Sequence, residues 1–107
     1  PVFDSAPLRD GTLVVAVGSH TPDARELDSR LLARAQVIVE DVDTACREAG
    51  DIVVPVREGV LAPDSLVPLA DVVTGRRALD SARPTVFKTT GMSWEDLVVV
   101  TALHETL

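Results

Sequence analysis

Leu13-Val14-Val15-Ala16-Val17 runs directly into Gly18-Ser19-His20 and then Thr21-Pro22-Asp23. The first five residues are a continuous, Val-rich apolar run. Such a run predicts a short strand buried on both faces, as in a parallel sheet. Thr21-Pro22-Asp23 reads as a helix start: Thr caps, Pro takes the first turn, and Asp favours the positive end of the helix dipole. Leu27, Leu31 and Leu32 fall on one face of that helix. Arg25, Glu26, Asp28 and Arg30 fall largely on the other. Strand, small polar loop and helix together form the repeating unit of an α/β fold.

Outward from this unit the alternation continues. Gln36 to Glu40 is a second strand, and Asp41 can cap the helix after it. Val42, Ala45, Cys46 and Ala49 recur at helical spacing, which makes Cys46 a core residue, and Gly50 reads as the stop of that helix. Asp51 to Val56 reads as a third strand, placed at an edge because Pro55 cannot donate to a ladder. Pro63-Asp64-Ser65 can start a short helix through Leu69. Asp71 to Gly75 reads as a short strand or a turn, and Arg76 to Pro84 as a polar connection. Pro84 to Lys88 is a further strand, and Thr89 to Met92 a loop. Ser93 and Asp96 match a capping box, so a long helix is expected from Trp94 to near Leu107. Its run Leu97-Val98-Val99-Val100 is apolar nearly all round, which predicts burial against something large. The expected fold is α/β: a mainly parallel sheet with flanking helices and a long C-terminal helix.

Composition narrows the function. The chain has 107 residues, 46% hydrophobic and 25% charged, enough for one small globular domain. Its net charge of −7 argues against a nucleic-acid partner and against an anionic membrane surface. No apolar run approaches the ~20 residues of a spanning helix, and the start carries no signal-peptide pattern. A cytoplasmic location is expected. Cys46 is the only cysteine, so neither a disulfide framework nor a thiolate metal cluster is expected. His20 and His104 lie far apart in sequence without close ligand partners, so no metal site is expected.

Chemistry concentrates in two loops. Gly18-Ser19-His20 and Lys88-Thr89-Thr90-Gly91 each follow a strand and precede an expected helix. Open α/β sheets bind ligands at such carboxyl ends, although ordinary turn chemistry produces the same pattern. A G-x-G-x-x-G turn, which lets a backbone approach a pyrophosphate, is absent.

Four segments in order resemble the ornithine cyclodeaminase and mu-crystallin family. They are Gly11-Thr12 … Ala16-Val17-Gly18-Ser19-His20-Thr21-Pro22-Asp23 … Arg25-Glu26-Leu27-Asp28; Glu48-Ala49-Gly50-Asp51; Asp71-Val72-Val73-Thr74-Gly75-Arg76; and Thr85-Val86-Phe87-Lys88-Thr89-Thr90-Gly91 … Glu95-Asp96-Leu97. The resemblance covers nearly the whole chain. It implies that residues 1–107 are the C-terminal part of a Rossmann-type domain binding NAD or NADP, a fragment of a two-domain protein. The Gly-rich turn and the substrate domain would lie upstream, and the fragment would be inactive alone.

The resemblance also implies roles. Val17, Gly18 and Ser19 match the loop beside the cofactor, with Lys88 and Thr89 as further cofactor-binding candidates. Lys88 would meet a ribose or phosphate, or else be a solvated strand end. Thr90 and Gly91 match the loop near the nicotinamide and substrate. The position of His20 is a catalytic Asp in the cyclodeaminases, so His20 is a departure that puts ornithine cyclodeaminase activity itself in doubt. An imidazole there can still handle a proton, or be a loop residue without that duty. Trp94 reads as an anchor against an absent domain, and His104 as a surface or packing residue.

The implied activity is hydride transfer in amino-acid deamination and cyclisation or in imine reduction. The implied partners are the remainder of the same protein and a small amino-acid or imine substrate. The alternatives are a non-catalytic, NADP- or ligand-binding mu-crystallin-like protein and a stand-alone α/β interaction module. An exposed sheet edge and exposed apolar faces predict homo-oligomerisation.

Overall fold

A computed structural model describes all residues, 1–107. Its four strands are β1 (Leu13–Ala16), β2 (Gln36–Val39), β3 (Val67–Pro68) and β4 (Thr85–Lys88), all parallel, in the order β1-β4-β2-β3. Five helices join or follow them: α1 (Ser29–Arg34), α2 (Val42–Glu48), α3 (Gly50–Arg57), α4 (Leu69–Val73) and α5 (Ser93–Thr106). The α/β class and parallel sheet are as expected from sequence.

The core lies on one face of the sheet. Ala16, Val37, Val39 and Val86 point to that face and pack with Leu27, Leu31 and Leu32 around α1, Ala45 on α2, and Ile52 on α3. Cys46 packs half-buried against this cluster. The opposite face is partly open. β1 pairs only with β4, and Leu13, Val15 and Val17 stay exposed. The expectation of a β1 buried on both faces therefore fails within this chain, because β1 is an edge strand.

Several boundaries differ from the sequence expectation. α1 does not start at Thr21; residues 21–27 form turns, and Asp28 is the cap, accepting from the Leu31 N–H at 2.8 Å. Asp41 caps α2 as expected, accepting from the Thr44 N–H at 2.9 Å. Gly50 does not merely stop α2 but begins α3, and a Cβ there would sit 1.9 Å from the Ala24 carbonyl oxygen. Glycine is required by the close approach of the 21–24 turn.

Asp51 to Val56 is not an edge strand but most of helix α3. A short, nearly continuous apolar run fits either a buried strand or a buried helix. Here the Ala49 carbonyl accepts from the Ile52 and Val53 N–H groups, both at 2.8 Å, and Pro55 lies inside the helix without an N–H to continue the ladder. The Pro63–Ser65 segment is a single 3-10 turn, followed by the short β3 that the sequence did not signal. Asp71 to Val73 belong to α4 rather than to a strand. α5 has Met92, not Ser93, at its cap, and the Met92 N–H donates to Glu95 Oε2 at 3.4 Å. None of the α5 residues is buried. Trp94 anchors nothing within this chain, and His104 is exposed.

Candidate functional site

The register of the sheet aligns Ala16, Lys88 and Val39 in one row at the carboxyl ends of β1, β4 and β2. The next residues form the rim: Val17, Thr89 and Glu40. The two loops singled out from sequence are therefore neighbours, as parallel pairing of β1 with β4 requires. This is where ligands settle in open α/β sheets.

On the β1 side, Val17 and His20 are exposed and Ser19 is buried. The Gly18 N–H donates to Glu26 Oε1 at 2.6 Å, and the Ser19 hydroxyl donates to the Ala24 carbonyl. These two bonds fold the 17–27 segment back on itself and leave His20 at its exposed apex. On the β4 side, the Thr89 N–H donates to the Ala16 carbonyl at 3.1 Å, extending the β1–β4 pairing to the rim. The Gly91 N–H donates to Thr89 Oγ1 at 3.2 Å, and Gly91 adopts φ +73°, a conformation that favours glycine. Thr90 is half-buried between them.

Lys88 departs from the expectation of a solvated strand end. Its side chain is 0% exposed; the ammonium lies 3.4 Å from the Ala16 carbonyl oxygen and 3.7 Å from Asp51 Oδ2. Asp51 is equally buried, and its Oδ1 accepts from the Glu26 and Leu27 N–H groups, both at 2.8 Å. The lysine that seemed to face a phosphate instead faces a carboxylate inside the protein.

Glu40 is a rim residue that sequence reasoning passed over. The Thr89 hydroxyl donates to its Oε1, while Oε2 is buried without a hydrogen-bond partner. Burial, and then the nearby Glu95 carboxylate, push its pKa above the usual glutamate value, against the Gly91 N–H and Lys88, which pull it down. A signal for it did exist: an acidic residue at the carboxyl end of an apolar strand. Asp51 carried no local signal at all. The rim groups form no cluster able to hold a metal ion. A cleft of about 290 Å³ opens at the opposite, amino end of the sheet, beside Gly11, Leu13 and Thr85, away from all of these groups.

The model of the ornithine cyclodeaminase/mu-crystallin family matches residues 1–107. The chain is 39% identical to a Delta(1)-pyrroline-2-carboxylate reductase of Bacillus cereus over 98% of its length and 33% of the relative's. It is 30% identical to the ketimine reductase mu-crystallin of Mus musculus, over 98% of its length and 32% of that protein's. Among solved structures it resembles the Thermococcus litoralis Delta(1)-pyrroline-2-carboxylate reductase in complex with NADH and L-proline. The TM-score is 0.84 and the identity 32%, over 92% of this chain and 31% of that one. The chain thus spans about a third of the length of these relatives.

Proposed function

The chain belongs to the ornithine cyclodeaminase/mu-crystallin family, and from that membership we propose that residues 1–107 are the C-terminal part of a Rossmann-type NAD(P)-binding domain in a two-domain imine reductase. The observation that carries the reading is the common rim formed by the loops after β1 and β4. Both loops offer small or neutral groups there: Val17 and Gly18 from one, Thr89, Thr90 and Gly91 from the other, while the buried Ser19 holds the first loop in shape through the Ala24 carbonyl.

These residues fit one end of a dinucleotide and not the other. An uncharged nicotinamide ring and its ribose suit loops with an apolar Val17, hydroxyls at Thr89 and Thr90, and a glycine that permits close approach. A pyrophosphate does not suit them. Glu26, Glu40 and Glu95 lie near, Lys88 is turned inward, and no glycine-rich turn is present. On this proposal, phosphate binding falls to the part of the relatives' length that residues 1–107 do not span.

When bound, the reduced nicotinamide supplies a hydride to the imine carbon of a small substrate. The chain's own residues then hold the reacting partners in place. Thr90 and Gly91 shape the substrate side. The exposed His20 imidazole delivers the proton that the imine nitrogen needs as it becomes an amine. The names of the B. cereus, T. litoralis and mouse relatives all support a reductase. The binding-only alternative gains nothing from the mouse protein, whose name also includes ketimine reductase.

The test is NAD(P)H-dependent reduction of Delta(1)-pyrroline-2-carboxylate by the protein expressed from the complete reading frame. His20→Ala is expected to lower turnover on the order of 10²-fold and to remove one limb of its pH profile. Unchanged turnover and an unchanged profile would remove His20 from proton transfer. Tight cofactor binding without reduction of any imine would favour the binding-only protein.

A further inference from the structure

We propose that the buried Lys88–Asp51 pair is a positioning device that couples the two rim loops; it rests on the reading that those loops bracket one ligand. Lys88 ends β4 and immediately precedes Thr89-Thr90-Gly91. Its ammonium approaches the carbonyl of Ala16, which ends β1 and immediately precedes the 17–20 loop. The same ammonium faces Asp51 Oδ2 at 3.7 Å. Through its other oxygen, Asp51 holds the Glu26 and Leu27 N–H groups. Glu26 in turn accepts from the Gly18 N–H. A chain of polar contacts therefore runs from the start of the 89–91 turn, through one buried ion pair, to both ends of the 17–27 segment.

Packing reinforces this arrangement. Gly50, the neighbour of Asp51, sits under Ala24 and Thr21 with no room for a Cβ. The segment thus rests on the start of α3 and cannot approach or retreat without disturbing Asp51. Both charged side chains are 0% exposed. Two charges at such burial cost desolvation energy, so an apolar pair of similar size would stabilise the fold equally well or better. An ion pair here contributes something an apolar pair lacks: directional contacts to backbone groups of two separate segments, Ala16 at the end of β1 and Glu26–Leu27 before α1. Lys88 and Asp51 act through the loops and do not touch the ligand themselves. This reassigns Lys88 from a cofactor-binding role to a positioning one.

Amide hydrogen exchange by NMR on the isotope-labelled chain tests the proposal. In Lys88→Met, the Glu26, Leu27 and Thr89 amides are expected to exchange at least ~10-fold faster, while Val37 and Leu32 in the core keep their protection. Uniform acceleration would make the pair a core stabiliser and overturn the proposal. Unchanged exchange at Glu26, Leu27 and Thr89 would overturn it too. If Lys88→Met fails to fold because Asp51 is left uncompensated, the double variant Lys88→Met with Asp51→Asn carries no buried charge. It is expected to fold, with selective loss of protection at Thr89. Failure of the double variant to fold would make the pair a requirement of the core and overturn the proposal.

No nucleotide takes part in this experiment, so its result is independent of the cofactor reading. Titration of reduced nicotinamide mononucleotide into the unaltered chain reads the latter. Selective exchange without nucleotide shifts would leave the clamp standing and remove the ligand.

Discussion

β1 and β2 are near-equivalents in sequence, Leu-Val-Val-Ala against Gln-Val-Ile-Val, and both pair in parallel with β4. Their environments are opposite. In the same row of the sheet, Ile38 in β2 is 5% exposed, whereas Val15 in β1 is 53% exposed. β2 lies between β4 and β3, beneath the helices of the covered face; β1 forms the edge. An apolar strand encodes a demand for burial, and its neighbours decide whether the demand is met. α5 repeats the lesson, with Leu97, Val98, Val99, Val100 and Leu103 all exposed. Many of the apolar groups that remain uncovered lie along β1 and α5.

The sharpest way to break this comparison is to place the same charge in each strand. Val39→Asp buries an uncompensated carboxylate and is expected to cost about 3–5 kcal/mol, enough to unfold a small domain. Urea titration followed by circular dichroism reads it. Tolerance of Val39→Asp would show that the covered face is not the core.

The next effect concerns how the covered face is closed. Asp28 caps α1 and also accepts from the Ser5 N–H at 3.1 Å and the Ser5 hydroxyl at 2.7 Å. Asp28→Ala is expected to cost about 1–2 kcal/mol by the same titration. Burial opposes ionisation of Asp28, but the hydrogen bonds from Ser5 and Leu31, with Arg30 nearby, outweigh it and lower its pKa. Its folded pKa lies below the unfolded one. The contribution is therefore present above the ordinary aspartate pKa and is lost as pH falls through the lower folded value. The Asp28→Ala deficit should shrink on acidification.

Glu40 carries the opposite sign. Burial, followed by repulsion from Glu95, raises its pKa. Its favourable contribution is present below the ordinary glutamate pKa and lost as pH rises through the folded value. Glu40→Gln is expected to raise the melting temperature slightly near pH 7 and not near pH 4. A fall near pH 7 that is absent near pH 4 would mean that the Thr89 contact needs the charge.

Val15→Asp should change stability least, by less than about 0.5 kcal/mol, because the site is already wet. It should also weaken self-association, which the exposed β1 edge and apolar faces are expected to drive. Light scattering across a concentration series reads this. A monomer at high concentration without any substitution would contradict the expectation.

Local signals were enough for the elements whose reasons are local. The apolar runs of β1, β2 and β4, the Asp41 cap and the length of α5 could all be read from neighbouring residues. So could the meeting of the 17–20 and 88–91 loops, once a parallel sheet was inferred. What could not be read has distant partners. Asp51 is held by backbone groups 24 and 25 residues away. That contact explains why a segment with strand-like composition begins a helix. Gly50 looked like a helix stop because the turn crossing over it belongs to residues 21–24. Lys88 looked solvated because nothing near it in sequence bears the charge that buries it. Thr21-Pro22-Asp23 carried every mark of a helix start, yet Asp28 is the cap, and its carboxylate also accepts from the Ser5 N–H and hydroxyl, more than twenty residues away.

The most direct test of the rim as a nicotinamide site is titration of reduced nicotinamide mononucleotide into the labelled chain, followed by NMR. This half-cofactor needs no pyrophosphate turn, so the missing glycine motif does not prejudice the result. The expected result is a saturable set of shifts confined to Val17–His20 and Thr89–Gly91, with Glu40 beside them. Shifts confined instead to the cleft at Gly11, Leu13 and Thr85, or no shifts at saturating concentration, would contradict it.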